Sequence, residues 1–90
     1  MTMEELRKEI DRIDSELIRL YGKRMETVCR IGEFKREHHL PVTDARREQE
    51  VLDRAAKIAG EENAENIRAL FRLLMAQSRE RQEQKGAHEG

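Results

Sequence analysis

The chain has 90 residues, 41% of them charged and 3% aromatic, and its 18 Lys and Arg face 19 Asp and Glu for a net charge of −1. That length holds one small domain, and the composition suits a helical bundle with solvated faces and argues against an aromatic-rich β-sandwich. No segment carries the basic excess of a phosphate-backbone binder, and no run approaches the roughly 18 apolar residues of a membrane span, so neither nucleic acid nor membrane is an expected partner.

Cys29 is the single cysteine, which leaves no intrachain disulfide and no thiolate metal cluster. With charge from Glu4 onward there is no signal-peptide pattern, and the expected location is the cytoplasm.

Thr2 and Glu5 form a capping box that opens a first helix, predicted to run from Met3 to about His39. Its apolar residues at Met3, Leu6, Ile10, Ile13, Leu17, Leu20, Val28 and Ile31 step by threes and fours along one face. Some 36 residues at 1.5 Å each make a rod of roughly 50 Å, too long for a chain of this size to cover. Two cations interrupt the stripe. Arg24 and Lys35 stand where apolar residues were due, 11 residues apart, within about 20° of each other and roughly 16 Å along the axis. Unpaired charge on a buried stripe costs several kcal/mol per ion, so an anion is expected to meet them. Gly32, beside this stripe, fits either a close approach by another backbone or ligand, or a tolerated surface glycine.

Residues 38–43 break the helix, because Pro41 biases Leu40 away from it. His38 and His39 are adjacent and have no further ligand set, so no metal site is expected. Asp44 is a good N-cap for a second helix, Ala45 to about Ala59, with Val51, Leu52, Ala55 and Ile58 on its apolar side and Gly60 closing it. Asn63 can cap a third, whose stripe of Ile67, Leu70, Phe71, Leu74 and Met75 continues to Ser78 and Gln82. The domain is expected over 1–84, with a flexible, dispensable tail at 85–90. The fold class is therefore all-α, with one very long N-terminal helix, one short and one medium. Three such helices cannot close a compact monomer, and the exposed seam calls for a two-fold dimer with the long helices paired or interlocked.

Extending the apolar faces collects Arg24, Lys35, Ser78 and Gln82, and the start of helix two adds Asp44, Arg47 and Glu48. Fork-shaped and compact cations beside a neutral amide donor describe a pocket for a small anion with further oxygens. They do not describe a triad, a phosphate loop or a metal centre. Taken singly, each residue also fits an interface ion pair or an ordinary boundary position.

The order and spacing of several motifs now become specific. Residues 6–14 (LRKEIDRID), then Arg24, then Ile31-Gly32-Glu33-Phe34-Lys35, then residues 41–48 (PVTDARRE), then residues 70–78 through Gln82, resemble the all-helical class of chorismate mutase over residues 5–82. The resemblance implies an intertwined homodimer of three-helix chains with two identical sites and no cofactor. It implies that Arg24 holds one substrate carboxylate and Arg7, from the partner chain, the other. Lys35 and Gln82 would contact the ether oxygen; Glu48, with Lys35 and the backbone near Asp44, would hold the ring hydroxyl; Arg47 and Ser78 would support the pocket. Arithmetic constrains one role. Arg7 lies 17 residues from Arg24 and 28 from Lys35, or about 25 Å and 42 Å along a helix, so no small metabolite touches all three in one chain. Rearrangement of chorismate to prephenate is unimolecular and needs no nucleophile, metal or proton relay, only a folded dianion and a donor for the breaking C–O bond. A glutamine donor does not titrate, so no acid pH is needed to supply it. Two alternatives share these features: an isochorismate–pyruvate lyase with a similar cationic pocket, and a non-catalytic dimerisation or regulatory module whose inward charges are interface salt bridges.

Overall fold

In a computed structural model, which describes residues 1–89 and side chains through residue 84, the chain is three α-helices. They are α1 (Met3–Glu37), α2 (Ala45–Ala59) and α3 (Ala64–Glu89). Gly90 and the side chains of the expected tail at 85–90 lie outside the described residues. No helix among the described residues is long and apolar enough to cross a membrane.

α1 begins as its capping box requires, with Glu5 N–H donating to Thr2 Oγ1 at 3.1 Å and Glu4 and Glu5 at the positive end of the dipole. Its other end comes two residues before the expected His39. His39 sits in the left-handed region at φ 55°, its N–H bonds Arg36 O at 3.2 Å, and Leu40 N–H bonds Lys35 O at 2.7 Å. That pair of bonds is a Schellman closure, for which glycine is the usual residue and histidine an uncommon one. No glycine marks this end, so the sequence placed the break at residues 38–43 from Pro41 without showing the turn that makes it. His39→Gly removes the left-handed penalty and should raise stability by about 1 kcal/mol, read as a rise in melting temperature. α2 runs as expected from Asp44, whose carboxylate accepts Arg47 N–H at 3.1 Å, to Gly60 at φ 86°.

α3 is the element both others pack against, and α1 and α2 share no helix-to-helix contact among the described residues. The core lies where the C-terminal half of α1 and one face of α2 meet α3: Met25, Val28, Leu52, Ala55, Ala56 and Met75. Every residue before Arg24 is exposed. Leu6, Ile10, Ile13, Leu17 and Leu20 form an apolar line in the open, Ile13 at 49% exposure and Leu17 at 57%. The radius of gyration is 16.4 Å and the long axis 54 Å, against about 12 Å for a packed domain of this size. Surface pairs add little. Arg19 hydrogen-bonds Glu16 and holds its carboxyl below the usual range, but such solvent-exposed pairs contribute next to nothing to stability.

Candidate active site

The half of α1 that does pack builds one wall of a groove of about 330 Å³, a size that suits a small metabolite. Along α1 the lining residues are Arg24, Val28, Ile31 and Lys35, steps of four, three and four that keep one face. α2 and its cap contribute Asp44, Arg47, Glu48 and Val51, and α3 contributes Met75, Ser78, Arg79 and Gln82. Val42, from the connecting loop, closes the end. Seven of the eight expected site residues thus line one groove. Arg7 does not: it is exposed on the free half of α1, about 25 Å from Arg24 by helix rise.

The expectation that an anion meets Arg24 and Lys35 is not met within the chain. Arg24 Nη1 donates to Ser78 Oγ at 2.6 Å, and the Ser78 hydroxyl donates onward to Leu74 O at 2.7 Å. Lys35 Nζ donates to Val42 O at 2.7 Å. Both partners are neutral, and among the described residues neither cation pairs with a carboxylate. The hydrogen bonds orient the two heads without cancelling their charge. Each keeps donors to spare, because a guanidinium and an ammonium have several. Clamping Lys35 to the loop also ties the end of α1 to the cap of α2.

Gln82 is 7% exposed, and its Oε1 is buried with no hydrogen-bond partner. A buried amide normally spends its donors and acceptor on neighbours, and leaving one unmade costs about 1–3 kcal/mol. Gln82 also lines the groove that holds the two uncompensated cations. Gly32 explains how Gln82 gets there. A Cβ at Gly32 would stand 3.2 Å from Gln82 Cγ and 3.5 Å from its Cα, so an alanine here would crowd Gln82 where α3 approaches. Gly32→Ala gains up to about 1 kcal/mol of helix propensity and loses a comparable amount to crowding. Melting temperature should move little while turnover falls at least tenfold (about 1.4 kcal/mol), because Gln82 is pushed off position.

Sequence reasoning missed Arg79, whose guanidinium Nη1 donates to Glu48 Oε1 across the α2–α3 junction. The signal was present, since Arg79 lies four residues after Met75 and three before Gln82 on the stripe already traced. Tyr21 Oη, donating to Gln77 Oε1 at 2.7 Å, is a second tie between α1 and α3 that periodicity did not suggest.

The family model described as chorismate mutase type II matches residues 6–83. A bifunctional chorismate mutase/prephenate dehydratase of Aquifex aeolicus is 43% identical over 56 residues, covering 62% of this chain and 16% of its own length. The T-protein of Haemophilus influenzae is 37% identical over 79 residues, 84% of this chain and 21% of its own. A chorismate mutase of Methanocaldococcus jannaschii is 33% identical over 82 residues, 89% of this chain and 83% of its own. The chain thus spans about a fifth or less of the first two relatives and most of the third. No solved structure matches.

Proposed function

Since the chain belongs to the chorismate mutase type II family, we propose that it rearranges chorismate to prephenate in the groove between its helices. The observation that carries this reading is the pair of cations, Arg24 and Lys35, held by neutral acceptors on either side of a groove and left uncompensated. A substrate dianion completes them. Arg24, oriented by Ser78, takes one carboxylate. Lys35 and the amide of Gln82 donate to the ether oxygen, which gains negative charge as the C–O bond breaks. Glu48, with Lys35 and the backbone near Asp44, holds the ring hydroxyl, and Arg47 supports the entrance. Holding the flexible substrate in its reactive chair-like form supplies the rest of the acceleration, because the reaction has no second reactant to activate.

The second carboxylate is the task of Arg7 from a second copy of the chain. Two features support a dimer: the apolar line of Leu6 to Leu20 is uncovered, and Arg7 lies on that same free half. Sedimentation should give twice the 10.6 kDa chain mass. Ile13→Asp, placing a charge on the seam, should shift the protein to monomer and abolish turnover together. The lyase and the non-catalytic module are less favoured, since the family model that matches and the Methanocaldococcus jannaschii relative both carry the name chorismate mutase.

The deciding experiment mixes the purified protein with chorismate and identifies the products. Prephenate is the expected result, with no need for acid pH to supply the Gln82 donor. Absence of prephenate from a folded dimer sinks the reading, and isochorismate as substrate then tests the lyase.

A further inference from the structure

Within the groove, Glu48 is the one carboxylate that a side-chain cation answers, among the described residues. Arg79 Nη1 donates to Glu48 Oε1, with the two side chains 36% and 25% exposed. Asp44 is differently employed, its carboxylate accepting the Arg47 N–H at the start of α2. Arg24 and Lys35 rest on neutral oxygens. The groove therefore offers cations to an incoming dianion and contains two carboxylates, Asp44 at the cap of α2 and Glu48, and of these Glu48 is the one met by a side-chain cation among the described residues. Arg79 directly follows Ser78 on α3 and reaches that anion from the side.

We infer that Arg79 is a positioning residue for the reaction: it neutralises Glu48 and occupies Oε1, leaving Oε2 to accept the ring hydroxyl of the substrate. This rests on the mutase reading above. A bare carboxylate in a groove is poorly screened, so it opposes a dianion before and during the reaction alike. An interaction felt equally in ground and transition states acts on KM and leaves kcat. A lysine at the same place supplies the charge without the planar fork, so it restores most of the effect.

The test is a cycle of R79Q, E48Q and the double variant in the full-length protein, with R79K beside them. R79Q should raise KM about 30-fold with kcat within about threefold of wild type. E48Q keeps an acceptor oxygen without the charge and should cost about fivefold in kcat/KM. The double variant should bind better than R79Q, with KM within about threefold of E48Q alone. R79K should stay within about fivefold of wild type. An R79Q effect that persists undiminished beside E48Q overturns the inference, because Arg79 then acts on substrate or fold directly. Should R79Q fail to fold, the comparison of E48Q with the double variant decides, where a further loss overturns it and no change supports it. The same cycle read by calorimetric titration with prephenate separates the two readings. Prephenate binding that follows the cycle without chorismate turnover refutes the mutase reading alone. Turnover with an additive cycle refutes the Arg79 role alone, and a wild type that neither binds nor turns over refutes both.

Discussion

Lys35→Ala should lower kcat on chorismate by about a thousandfold, the loss seen when a charged or well-placed donor to a developing oxyanion is removed. Lys35 stands at the far end of the α1 lining face, half-buried, with one donor on Val42 O at 2.7 Å and the rest free toward the groove. The bond to Val42 contributes about 1 kcal/mol to stability. Removing an uncompensated cation from a partly buried site returns a similar amount. Melting temperature and helix content should accordingly stay close to wild type, and Lys35→Met, which keeps the stem, should match Lys35→Ala in turnover. The same pattern is expected for Arg24→Ala, whose partner Ser78 retains its bond to Leu74 O. If both variants instead lost several degrees or more of melting temperature, the cations would be structural and the salt-bridge module would regain ground.

Arg7→Ala should lose at least a hundredfold in kcat/KM, since a carboxylate clamp contributes to positioning throughout the reaction. The decisive form of this prediction is complementation. Arg7→Ala and Lys35→Ala chains, each nearly inactive as homodimers, are unfolded together and allowed to reassociate. Half of the dimers are then mixed, and each mixed dimer unites one intact Lys35 with one intact Arg7 in a single site. Activity should recover to about one quarter of the wild-type value at equal total chain. An Arg7 acting within its own chain would give no recovery above the two parents. The distance argues for the first outcome, because about 25 Å of helix separates Arg7 from Arg24.

Much of this protein was legible in its sequence because helical periodicity is a local property. The 3–4 stepping of apolar residues on α1, the Asp44 cap and the Gly60 stop each depend on neighbours within a turn or two, and all three appear where expected. The site residues were legible for the same reason. Arg24, Lys35, Ser78 and Gln82 announce themselves by occupying apolar positions, and seven of the eight expected residues do share a groove. The resemblance to a helical mutase supplied their roles, which periodicity could not.

The sequence by itself therefore determined the three helices and the inward position of the cations, but not which apolar residues are covered, since Leu6 to Leu20 and Ile58 of the expected stripes stand exposed. Only the tertiary structure decided what the helix faces meet. That Gly32 is a close-approach glycine depends on how near α3 passes at Gln82. That Glu48 is answered by Arg79 depends on the register of α2 against α3. That Arg24 and Lys35 settle on a hydroxyl and a carbonyl, and pair with no carboxylate among the described residues, depends on which turn of each helix sits opposite them. The end of α1 near Pro41 was local too, although the left-handed turn at His39 that makes it has no glycine to announce it. The physical reason is common to the other three. Periodicity gives the direction in which a side chain points, while distance across a helix pair is set by the summed packing of residues far apart in the chain.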